Sequence, residues 1–92
     1  MDKQPHILIV EDELLPGRAL VQQLRELGYT EVSWCRNDQE VSALLDKSAI
    51  NIALVDIGLR ESNLDGIDVA RTINQKSNAI IVFLTAFSDL TS

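Results

Sequence analysis

Short runs of branched apolar residues recur along this chain, each pair separated by enough residues for one helix. They are His6 to Val10, Glu31 to Cys35, Ile50 to Val55 and Ala79 to Leu84. Between the first two, Leu20, Val21, Leu24 and Leu27 form a helical stripe, with Pro16 tolerated in the first turn and Gly28 as the stop. Asn37, Asp38 and Glu40 then cap a second helix that buries Val41, Leu44 and Leu45. Asp65-Gly66 opens a third, carrying Ile67, Val69, Ala70 and Ile73. Ser88 and Asp89 are placed to cap a further helix after the last run. The order is βαβαβαβ. The first, third and fourth runs are apolar at successive positions, which fits a parallel sheet covered by helices on both faces. Right-handed crossovers then give an α/β fold with an open, doubly wound parallel sheet.

Composition narrows the function. With 92 residues, 46% apolar and 24% charged, the chain is one globular domain. Its net charge of −6 argues against direct nucleic-acid binding or attachment to an anionic membrane. A single cysteine, Cys35, and a single histidine, His6, exclude an internal disulfide and a Cys- or His-based metal cage. No apolar run reaches membrane-spanning length, and the N-terminus lacks the pattern of a signal peptide, so a cytoplasmic location is expected.

The acids gather where such a sheet binds ligands. In open α/β sheets the ligand lies beyond the carboxyl ends of the strands, where strand order reverses. Those ends carry Glu11 and Asp12 after the first strand, Asp56 after the third and Thr85 after the fourth. Neighbouring strands lie about 4.8 Å apart, so adjacent first and third strands would crowd their carboxylates unless a cation intervenes. A few hard oxygens, completed by water, are the usual surroundings of Mg2+.

Each residue also has a plainer reading. Asp12 alone is more simply a helix cap, Glu11 and Glu13 a solvated turn, Asp65 a cap, and Glu61 and Asp68 surface charge. Asp56 resists such a reading, because it closes a buried strand with no helix to cap, and a buried acid without a partner is costly. Other chemistries are poorly supported. The glycines are isolated, so no phosphate-cradling loop exists, and no G-x-S-x-G elbow is present. Cys35 and Trp34 read as packing residues, and Cys35 is remote from His6.

These residues together resemble the receiver domain of two-component response regulators, over the whole chain. Ile7-Leu8-Ile9-Val10-Glu11-Asp12-Glu13 resembles that family's first strand and acidic pair, and Leu54-Val55-Asp56-Ile57 its phosphoacceptor strand. Asp65-Gly66-Ile67 resembles the turn into its third helix, and Phe83-Leu84-Thr85-Ala86 its fourth strand with the switch hydroxyl. Two departures stand out. No Pro follows Asp56, and the segment Ile57 to Leu64 is about two residues longer than the commonest form.

The resemblance implies a flavodoxin-like sheet in the order 2-1-3-4. It implies that residues 1–92 lack most of helix 4, strand 5 and helix 5, with the lysine and aromatic switch residue that strand 5 carries. Asp56 would accept a phosphoryl group from a sensor histidine kinase or phosphotransfer protein. Asp12 and Asp56 would bind Mg2+, with Glu11 acting through water and Gly58 lending its carbonyl, while Thr85 would bond the phosphoryl group. The chain would assist only its own phosphorylation and dephosphorylation, and would signal to an output domain or target protein. The alternatives are a pseudo-receiver interaction module without phosphotransfer, and a Mg2+-dependent aspartate-nucleophile phosphatase. The latter wants a second Asp where Gly58 stands. Without a fifth strand, Ala79 to Leu84 would be an apolar edge open to self-association.

Overall fold

The computed structural model describes residues 4–56 and 66–84. The elements alternate as β1 (Ile7–Val10), α1 (Leu14–Glu26), β2 (Val32–Cys35), α2 (Asp38–Lys47), β3 (Ile52–Asp56), α3 (Gly66–Lys76) and β4 (Ile80–Leu84). The strands form one parallel sheet in the order β2-β1-β3-β4, as the resemblance implied. Gly58, Asp65, Thr85, Ala86, Ser88 and Asp89 lie outside the described residues.

Local chemistry explains where the helices start and stop. Gly28, with φ 107°, takes up a left-handed conformation that a side chain would resist. Its N–H donates to the Arg25 carbonyl at 3.0 Å, and that of Tyr29 to Leu24 at 3.1 Å, the paired bonds of a Schellman stop. At the start of α2 the Asn37 side chain accepts from the Glu40 N–H at 2.9 Å, so the expected cap is present. The start of α1 differs from the plainer reading of Asp12. The N-cap position belongs to Glu13, which makes no side-chain capping bond.

Alternation along the strands divides the sheet into two faces. Leu8, Val10, Cys35, Ala53 and Val55 point towards α2 and α3 and form one core with Val41, Val69 and Ile73. Ile7, Ile9, Trp34, Ile52, Leu54, Ile80 and Val82 lie on the other face, where α1 packs against β1 and β2. The fourth strand, apolar at successive positions and expected as an edge, lies at the end of the strand order and is only partly covered by helices among the described residues. Ile80 is 66% exposed and Val82 42%, because α1 sits over the opposite edge of the sheet, and Phe83, beside Val55 on the other face, is 43% exposed. Leu27 and Ile67, assigned to buried stripes, are exposed as well. Leu27 is the C-cap of α1, where the chain turns away. In α3 the inward line runs through Gly66, Val69 and Ile73, leaving Ile67 about 100° round the helix.

The amino ends of the strands are stitched by Asn51. Its side-chain oxygen accepts from the His6 N–H at 2.8 Å, and its own N–H donates to the His6 carbonyl at 3.0 Å. Its carbonyl accepts from the Ile80 N–H at 2.9 Å. Three strands are thereby tied at one residue. Cys35 is a buried free thiol at the far end of β2. Burial, then the nearby Glu40 charge, raise its pKa from 9.0 to about 11. Among the described residues no helix is long and apolar enough to cross a membrane.

Candidate functional site: the carboxyl edge of the sheet

Parallel pairing fixes which residues meet at the carboxyl edge. The register between β1 and β3 ends at Val10 opposite Val55, so Glu11 and Asp56 are the next residues on two adjacent strands. Asp56 in turn lies opposite Leu84 of β4, immediately before Thr85. Glu11 is 1% exposed, while Asp12 and Asp56 are half-buried. Glu11, Asp12 and Asp56 thus share the carboxyl edge of two adjacent strands.

The buried Glu11 carboxylate accepts the Glu13 N–H at 3.0 Å, which compensates part of its lost hydration. Its backbone is held from β2. The Glu11 N–H donates to the Cys35 carbonyl at 3.1 Å, and the Trp34 Nε1–H donates to the Glu11 carbonyl at 2.8 Å. One residue on, Arg36 Nη2 donates to the Asp12 carbonyl at 3.0 Å. Sequence reasoning gave Trp34 only a packing role and Arg36 none. The available signal was their position, at the end of the strand beside β1.

Among the described residues no three His, Cys, Asp or Glu side chains form a ready-made metal cluster. Mg2+ does not require one, since it is commonly held by one or two carboxylates with several waters. The donors at this edge are carboxylate oxygens, and Asp12 and Asp56 are both partly open to solvent. That chemistry suits a small hard cation. It offers nothing to a soft one.

Comparison with known proteins identifies the lineage. Residues 7–92 match the response regulator receiver domain. The chain belongs to that family. The receiver domain is 39% identical over 82 residues to the transcriptional regulatory protein PdtaR of Mycobacterium tuberculosis, covering 89% of this chain and 39% of that protein. It spans well under half the length of the curated relatives it matches. Among solved structures, the signal receiver domain of a modulated diguanylate cyclase from Desulfovibrio desulfuricans G20 superposes with TM-score 0.80 at 37% identity, over 94% of this chain and 68% of that one. The response regulator TrrA of Thermotoga maritima, solved in complex with Mg2+-BeF, superposes with TM-score 0.76 at 30% identity, over 95% and 77%. TrrA has also been solved in complex with the histidine kinase ThkA. Receiver domains are in general regulatory switches rather than enzymes, and this one is a receiver of a two-component response regulator.

Proposed function

We propose that this receiver is a phosphorylation-dependent switch that accepts a phosphoryl group on Asp56 from a histidine kinase or phosphotransfer protein. What supports the reading is the pairing of β1 with β3, which sets Asp56 beside Glu11 and Asp12 on adjacent strand ends. An Asp56 carboxylate oxygen attacks the phosphorus of a phosphohistidine, the P–N bond breaks, and the imidazole leaves with the bonding pair. Asp12 and Asp56 would hold Mg2+, Glu11 would act through water, and the Gly58 carbonyl would complete the protein's share. Bound there, Mg2+ supplies charge neutralisation between the carboxylates and the incoming phosphoryl oxygens. Thr85, next along from the Asp56–Leu84 pair, would donate its hydroxyl to the phosphoryl group. The readout passes to an output domain or target protein, in the cytoplasm.

The second reading, left open by the missing Pro after Asp56 and the longer segment from Ile57 to Leu64, is a pseudo-receiver that binds partners without phosphotransfer. One experiment separates the two. Incubated with a phosphodonor and Mg2+, the full chain should take up acid-labile, hydroxylamine-sensitive phosphate. Asp56→Asn should abolish it, and Asp12→Asn should weaken it. No incorporation into the wild type would favour the pseudo-receiver, and incorporation into Asp56→Asn would move the nucleophile elsewhere.

A further inference from the structure

The end of β2 makes three consecutive ties to the acidic segment after β1. Trp34 Nε1–H reaches the Glu11 carbonyl at 2.8 Å, the Cys35 carbonyl takes the Glu11 N–H at 3.1 Å, and Arg36 Nη2 reaches the Asp12 carbonyl at 3.0 Å. The two side chains are themselves fixed. The indole lies against the backbone of α1 at Gly17, so closely that a Cβ there would fall 2.7 Å from Nε1 and overlap the neighbouring ring carbons. Arg36 is anchored through its own N–H, which donates to Glu40 Oε1 at 2.7 Å, while the Glu40 N–H donates to Asn37 Oδ1 at 2.9 Å. The cap of α2 thus continues into the tie on Asp12.

We infer that Trp34 and Arg36 are positioning residues, which hold the Glu11 and Asp12 backbone from the end of β2 and so set how strongly the adjoining carboxylates bind a divalent cation. The inference rests on the Mg2+ reading above. A carboxylate's direction follows from the peptide planes on either side of its Cα. Without a cation, like charges at the edge repel, and rotation of those planes is one way in which the carboxylates move apart. Donors aimed at both carbonyls oppose that rotation. The ordering cost is then met on folding rather than on binding, and outer partners of this kind commonly change metal affinity about 10- to 100-fold.

The test follows the Asp12 and Glu13 amide resonances of the full chain during titration with Mg2+ alone. Trp34→Phe removes the Nε1–H donor, along with part of the ring that lies against Gly17. It should weaken Mg2+ binding about tenfold. In the wild type, the Trp34 indole N–H resonance should shift along the same binding curve. Arg36→Gln, at an exposed site, should weaken binding severalfold, and Arg36→Lys, which retains a donor, should recover most of the loss. If Trp34→Phe fails to fold, the Arg36 pair decides alone. Wild-type affinity in Trp34→Phe and Arg36→Gln, even with a lowered melting temperature, would reduce both residues to structural ties and overturn the inference. If Mg2+ leaves the wild type as unmoved as an Asp12→Asn control, the metal reading fails and takes this inference with it.

Discussion

On one face of the sheet Leu8, Val10, Ala53 and Val55 are fully buried beneath Val41 of α2 and Val69 and Ile73 of α3. On the other, α1 shelters Ile7 and Ile9, while Ile80 is 66% exposed and Val82 42%, and on the first face too β4 leaves Phe83 43% exposed. The sequences of the two faces are equally apolar, so the difference does not arise from composition. It arises from how many helices the described residues place on each side. Burial of a strand is decided by its neighbours, and the same branched side chain contributes fully under a helix and little without one.

Truncation across the sheet gives the widest contrast. Ile73→Ala, beneath the closed face, should cost about 2–5 kcal/mol, because it opens a cavity in packed surroundings. Ile80→Ala, on the open face, should cost less than about 1 kcal/mol. Urea unfolding of the two variants measures both, and equal losses would mean that the open face is covered in solution.

Alkaline pH tests the closed face without a substitution. Cys35 ionises near pH 11 in the folded chain against an ordinary 9.0, so the folded state favours the protonated thiol. Its contribution is complete below pH 9.0 and is lost as the pH rises through about 11. The loss should amount to about 2–3 kcal/mol, at about 1.4 kcal/mol per pH unit. Melting curves of the wild type and Cys35→Ala between pH 8 and about 11 should converge if burial is the cause. A wild-type slope no steeper than that of the variant would show that solvent reaches the thiol.

A further effect is expected on the open side, where α1 meets the Trp34 ring. Gly17→Ala inserts a methyl group where the Trp34 ring sits, and should destabilise by about 1–3 kcal/mol while changing tryptophan fluorescence. A neutral Gly17→Ala would mean that the ring has room to move, and that α1 rests on the sheet more loosely than its Trp34 contact implies.

Much of this was legible in the sequence wherever one segment carried the whole signal. Gly28 marks a left-handed stop whatever else the protein does, and Asn37 with Glu40 forms a cap within four residues. The acids at Glu11, Asp12 and Asp56 could be foreseen at the carboxyl edge because the first two follow β1 and the third closes β3. Other features depend on partners far along the chain. The exposure of Ile80 and Val82 follows from where α1 sits, that of Leu27 from its place at the end of α1, and that of Ile67 from the phase of α3. Trp34 and Arg36 reach residues 23 and 24 positions away, and no local pattern announces such a bond.

Asn51, at the opposite end of the sheet from Glu11, Asp12 and Asp56, decides which residues meet there. Parallel strands have no hairpin to set their alignment, and a slip of a single residue exchanges the two faces. Were β3 to shift by one position against β1, Val55 or Ile57 would arrive beside Glu11 in place of Asp56. By holding His6 through two bonds and Ile80 through a third, Asn51 acts as the zero mark from which the strands are counted. An error in reading at that mark would be carried five residues to the far edge, turning a carboxylate into a hydrocarbon without altering a single letter of the sequence.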